Sequence, residues 1–371
     1  RQTVATPLPR EGARGHRFPI ARPWTTTLEE PAEGKIRRGV FLDVLYGVLP
    51  LFFVMLVGYG ASYSPKFPAS VEPALNVFVF YVALPALLYR VVAHANVSEG
   101  VPGAFLGISA GAALGFALLC WVTYRYLVRC SAPRAMAGML TTSFGNVSYL
   151  GIPVILGVLG PSAGFAAGMG QLVHNVIFMV GFPVLAQLML PAGTAHPHKP
   201  SGGRILRTIP QALVYNPVTW AMLLGGAVAI WQLPVPGPLD ETVDLLAAAA
   251  APGALFTIGL SLRRTVQRLR QRGIPTGAGE PGSRAMMPLM VLGKLVALPL
   301  LTVALLLLLA PELDPLWFNT AILTAAMPTS ATAYIMAQAD TGDGEPTALA
   351  IVITCVLSVV VLPVLSQLFL K

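Results

Sequence analysis

Gly145-Asn146-Val147-Ser148-Tyr149-Leu150-Gly151-Ile152-Pro153 lies in the middle of one apolar run, and Ala326-Met327-Pro328-Thr329-Ser330-Ala331-Thr332 lies in the middle of another. Each carries a proline among small and hydroxyl residues. A proline removes one intrahelical hydrogen bond and clashes with the preceding turn. In hydrocarbon the freed backbone groups need partners from a neighbouring half-helix, side chains, water or substrate. Pro153 and Pro328 are 175 residues apart. Two helices broken at matching positions are expected to cross at the bilayer midplane. Half-helix N-termini there carry partial positive charge and C-termini partial negative charge. The plainer alternative is a pair of ordinary proline kinks.

The surrounding composition agrees with a membrane setting. The 371 residues are 55% hydrophobic and 11% charged, with a net charge of +8, and mean hydropathy is +0.70. An ordinary soluble domain carries about 25% charged residues. Disorder, collagen and a disulfide scaffold are excluded as well. Cys120 and Cys355 sit in apolar runs and Cys130 in a basic turn, as reduced structural thiols do.

Ten apolar segments can be marked, at about 43–61, 72–92, 103–127, 134–158, 165–190, 215–232, 241–262, 286–309, 317–338 and 347–369, each near the ~20 residues that cross a bilayer. Thirteen Lys and Arg fall on one side, at Lys66, Arg125, Arg129, Arg134, Lys199, Arg204, Arg207, Arg263, Arg264, Arg268, Arg270, Arg272 and Arg284. Arg90, expected to snorkel at the outer interface, and Lys371 fall on the other. The richer side is expected to be cytoplasmic, in the inner (plasma) membrane, with both termini outside.

Residues 1–39 are polar, rich in Pro, Arg and Gly, and have no apolar core. They read as a disordered basic tail rather than a signal peptide, or as sequence upstream of a start near Val40.

The chain also repeats. Pro50 and Pro85 are 35 residues apart, as are Pro217 and Pro252, at an offset of 167. Two halves of five spans must insert in opposite orientations, the plan of secondary transporters. The expected fold is therefore an all-α polytopic membrane protein of ten transmembrane helices in two inverted five-helix repeats, with helices 4 and 9 broken and crossing. The repeats occupy 40–190 and 215–371, joined by a cytoplasmic loop at 191–214.

Further stretches extend the pattern: Asn216-Pro217, Ala251-Pro252, Leu255-Phe256, Gly259, Ser261-Leu262, Lys294 and Pro299, and Met327-Pro328-Thr329. With Gly145-Asn146 and Gly151-Ile152-Pro153 they resemble the auxin efflux carrier family, over about 40–371. That family includes plant carriers and bacterial malate or malonate transporters. The resemblance implies the fold shared with bile-acid symporters and sodium/proton antiporters. Spans 1, 2, 6 and 7 would form a scaffold, and spans 3–5 and 8–10 a transport domain. The chain lacks the long hydrophilic loop of some plant members and resembles a bacterial form.

Candidate site residues follow. No Asp or Glu lies mid-span, which disfavours a carboxylate proton relay or carboxylate-caged cation. Lys294 is the one charge well inside a span. It would snorkel, or meet the C-terminal end of a broken half-helix or an anionic substrate. In the antiporters a lysine stands at the equivalent place before the second crossing helix. Gln171, His174 and Asn175 share one helical face, as a site wall or as interhelical hydrogen-bonding groups, and His174 is the candidate for any proton coupling. Asn146, Ser148, Tyr149 and Pro153 belong to the first crossing, and Pro328, Thr329, Ser330 and Thr332 to the second. Asn319 opens span 9 as a cap.

His196-Pro197-His198 lacks further ligands for a metal. There is no phosphate-binding Gly motif and no nucleophile–base constellation. No cofactor, metal, nucleic acid or catalytic residue is expected. The leading reading is a secondary efflux carrier for small organic anions in the lipid bilayer, with a homodimer through the scaffold as an option. The alternatives are a sodium- or proton-coupled anion symporter and, from another class, a channel or receptor.

Overall fold

In the computed structural model, residues 36–68, 70–94, 100–190, 217–272, 283–342 and 344–370 are described. Most of the basic tail, the 191–214 loop with His196 and His198, Asn216 and Lys371 lie outside the described residues. Within them the chain is helical throughout: α1 Ile36–Ala61, α2 Val71–Ala93, α3 Gly103–Leu127, α4 Ala132–Ser143, α5 Val147–Leu159, α6 Pro161–Ala186, α7 Pro217–Trp231, α8 Gly237–Ala248, α9 Ala250–Arg272, α10 Ala285–Leu309, α11 Pro315–Ala326, α12 Ala331–Thr341 and α13 Glu345–Phe369.

Six helical stretches are long and apolar enough to cross a membrane: α2, α3, α6, α8 running into α9, α10 and α13. α5 and α7 are shorter apolar helices, and so is the Val48–Ala61 part of α1. Large apolar side chains such as Phe53, Leu118, Trp231, Leu308 and Val360 are exposed, as lipid-facing residues are. Lipid tails are as apolar as leucine, so association of such helices rests on close packing rather than on a hydrophobic driving force. α1 and α9 show this at Gly58 and Gly259. A Cβ on Gly259 would lie 2.7 Å from the Tyr59 nitrogen, so no larger residue fits there.

Two groups of helices emerge from the packing. α7, α8 and α9 pack on α2. α3 packs on α4 and α10, α10 on α11, and α12 on α4 and α13. One core, around Phe116, Tyr124, Met136, Phe144, Phe178 and Met286, draws its buried members only from 113–190 and 286–350. A second joins Met55, Leu88, Met222 and Leu255 to Leu150, Val154, Leu323 and Met327.

Proline shapes the helices in a regular way. Wide turns, in which an N–H reaches back five residues, occupy 79–83, 123–127, 147–151, 176–181 and 293–297. All but the one at 123–127, which ends its helix, are followed by a proline in the next turn: Pro85, Pro153, Pro183 and Pro299. The residue four before each proline falls inside the wide turn. Its carbonyl has no proline N–H to accept from and would collide with the ring, and widening the turn relieves both problems. Pro50, Pro288 and Pro363 sit inside helices without such a turn.

Three local expectations are corrected. The first break falls at Phe144–Asn146, between α4 and α5, not at Pro153, because the wide turn at 147–151 accommodates that proline within α5. Asp314, not Asn319, caps α11, its Oδ1 accepting from the Leu316 N–H at 2.9 Å. Arg90 does not merely snorkel. It pairs with Asp244 of α8 at 2.5 Å.

Candidate functional site

The two breaks meet. α4 ends at Ser143, and Phe144 turns into an extended conformation. α11 ends at Ala326, and Met327 does the same. The extended pieces run antiparallel, with Gly145 opposite Thr329. The Asn146 N–H donates to the Pro328 carbonyl at 2.7 Å, and the Ser330 N–H donates to the Phe144 carbonyl at 3.0 Å. Each break thus supplies the partners that the other's backbone requires in a medium without water.

Side chains complete the accounting. The Thr329 hydroxyl donates to the Thr141 carbonyl at 2.9 Å, and the Thr329 N–H donates to Thr354 Oγ1 of α13 at 3.1 Å. Thr141 Oγ1 lies 2.7 Å from Thr347 Oγ1. Asn146 Oδ1 accepts from the Tyr149 N–H at 3.4 Å, and Ser330 Oγ accepts from the Thr332 N–H at 3.2 Å, so these two residues cap the half-helices that leave the crossing. The Gly145 N–H donates to His174 Nε2 at 3.0 Å. That ring nitrogen therefore carries no proton, and the imidazole lies against Phe144 and Phe178.

Lys294 lies in the wide turn of α10 and is fully buried. Its ammonium donates to the Ser143 carbonyl at 3.4 Å and to the Ala325 carbonyl at 3.2 Å, the C-terminal ends of α4 and α11. A helix C-terminus carries roughly half a negative charge, so one ammonium facing two of them is close to neutral as a set. Of the roles open to Lys294 from sequence, the structure shows the one at the half-helix ends. Gly145 makes room for it, since a Cβ there would stand 3.0 Å from Nζ.

The remaining expected residues are spread around this knot. Gln171, His174 and Asn175 are buried on α6 as one face, and of the three His174 reaches the break. Both amide atoms of Gln171, Asn175 Nδ2, Ser143 Oγ, and Thr320 and Thr324 Oγ1 of α11 are buried without a partner among the described residues. A 20 Å³ cavity between α3, α6, α10 and α11, lined by Ser109, Gly170, His174, Thr302 and Thr324, has room for one water. Ser148 is half-buried, and Tyr149 points to α2 and α9 instead. Pro153 follows the wide turn inside α5, and Pro328 supplies its carbonyl to the pairing. Thr141, Thr347 and Thr354 escaped the sequence reading. The run Thr141-Thr142-Ser143, polar inside an apolar span, was the available signal for the first of them.

Comparison with known proteins is consistent with this architecture. Residues 43–366 match the family described as membrane transport protein. A protein of Rhizobium meliloti (strain 1021), named "Putative malonate transporter", is 29% identical over 313 residues, 84% of this chain and 91% of its own length. The "Uncharacterized transporter YfdV" of Escherichia coli (strain K12) is 26% identical over 219 residues, 58% of this chain and 67% of its own. An "Uncharacterized transporter" of Methanothermobacter thermautotrophicus is 24% identical over 331 residues, covering 88% and 99%.

Proposed function

The chain belongs to the membrane transport protein family, and on that premise we propose that it is a secondary carrier moving small organic anions by alternating access at the crossing of its two broken spans. The observation that carries the reading is the paired break with Lys294 on both half-helix C-termini. With that end neutralised, the capped N-termini of α5 and α12 leave partial positive charge at the crossing. An anion suits it. The name of the Rhizobium relative supports a dicarboxylate such as malonate.

The ten-span inverted repeat, with spans 1, 2, 6 and 7 as scaffold and the others as transport domain, agrees with the two groups of helices and the separate core of the second. Orientation follows from the basic loops, with both termini outside the inner membrane. Proton symport through His174 is the weaker alternative, because its Nε2 is engaged as an acceptor by Gly145. An inside-negative potential of 100 mV favours exit of a monoanion by about 2.3 kcal/mol, close to a fifty-fold gradient at ~1.4 kcal/mol per tenfold.

The test is malonate flux in proteoliposomes. Trans malonate should accelerate entry of labelled malonate, and an imposed inside-negative potential should speed its exit without sodium or a pH gradient. Absence of trans acceleration would make the protein a pore. Flux that ignores voltage and follows pH or sodium would make it a symporter.

A further inference from the structure

Tyr149 stands with the crossing residues in the sequence, yet its ring leaves the crossing. It packs against the buried cluster formed by Val79, Ala83 and Leu84 of α2 with Ala250 and Ala254 of α9. Three of those five are alanines, and the partly buried Leu87 and Ala249 pack on the same cluster, so small side chains make up much of the seat. The backbone of Tyr149 belongs to the wide turn at 147–151, which packs on α9, and its N–H is held by the Asn146 cap. The ring is therefore joined to one group of helices and seated in the other.

The two cores place this contact in a wider pattern. The buried residues of α4 and α12 belong to a core containing no residue of α1, α2, α7, α8 or α9. Those of α5, with Leu323 and Ala326 of α11, join the mixed core with Met55, Leu88, Met222 and Leu255. The groups thus grip one another through the α5–α11 side of the crossing. By the distribution of Lys and Arg, that side faces out.

We infer that Tyr149 is a gating residue: its ring, seated on the alanine-rich cluster of α2 and α9, holds the outward side shut and withdraws in every transport cycle. The inference rests on the carrier reading above. It makes Tyr149 a moving contact rather than a substrate ligand. A seat rich in alanine releases a ring more readily than interlocked branched side chains would.

The test uses the full chain with Cys120, Cys130 and Cys355 replaced by alanine, first shown to exchange malonate. Failure of that exchange would sink the carrier reading itself, separately from the gate. Into this background go Tyr149→Cys with Ala254→Cys. Oxidation should join them and lower malonate exchange by about tenfold or more, as blocking an obligatory opening does, with recovery on reduction. Neither single-cysteine protein should respond. A joined protein that still exchanges malonate, or a pair that never joins, overturns the gate. A second measurement labels Ala83→Cys from outside with an impermeant thiol reagent. Labelling should be slow with Tyr149 in place, and faster with malonate or with Tyr149→Ala. Equal labelling in all three overturns the gate as well.

Discussion

Replacing Lys294 by methionine keeps most of the length of the side chain, one atom short, and removes its charge. Two carbonyls, of Ser143 and Ala325, lose their donor in a site without solvent. A buried acceptor left unpaired costs about 1–3 kcal/mol. The contacts are long, at 3.4 and 3.2 Å, so the low end applies, and the pair comes to about 2 kcal/mol. An unfolding entropy of about 2.1 cal/mol/K per residue turns this into a fall of about 3 °C in melting temperature for a chain of this length. If half of the loss falls on the substrate-loaded crossing, flux drops about fivefold. The assay is thermal unfolding of the purified protein beside malonate exchange in proteoliposomes. A protein that melts like the parent but has a much raised KM would refute the reasoning. Lys294 would then serve substrate directly rather than the half-helix ends.

Four further outcomes are expected. His174→Gln should keep most exchange with an unchanged pH profile, because its carbonyl can accept from Gly145, whereas His174→Leu leaves that N–H unpaired and should lose most activity. Gly145→Ala should depress exchange and melting temperature together, since the new Cβ stands 3.0 Å from the Lys294 ammonium. Single cysteines at the exposed positions Lys66 and Arg129 should react only from the cytoplasm and one at Glu312 only from outside, as read with impermeant reagents on intact cells; the reverse pattern would invert the topology. A chain beginning at Val40 should insert and exchange malonate normally, and loss of exchange at equal expression would give the tail a role.

The crossing was legible in the sequence because small, hydroxyl and proline residues interrupt apolar runs at matching places. Its exact seat was not. Pro153 looked like the break, yet the wide turn at 147–151 absorbs that proline and the chain opens earlier, at Phe144–Asn146. The same turn spoils the 3.6-residue period, so no helical wheel could show that Tyr149 points to α2 and α9. Lys294 was visible as an isolated charge, but its partners lie 151 and 31 residues away in the chain, and periodicity carries no such information. The face of Gln171, His174 and Asn175 was correctly grouped. Which member touches the break depends on how α6 sits beside it, a matter of packing.

A wide turn is a helix with one surplus residue, and four of them here are tied to a proline. Each residue of an α-helix advances the side chains by about 100°. Deleting one residue from 293–297 would close the turn, swing Lys294 off the two carbonyls and drive the Pro299 ring into the carbonyl before it. Descendants of this chain that lose that residue must therefore lose the proline with it, while those keeping the proline must keep the count. Single-residue gaps against distant relatives belong at these turns, inside the membrane, and a substitution at Pro85, Pro153, Pro183 or Pro299 is the mark to look for beside them.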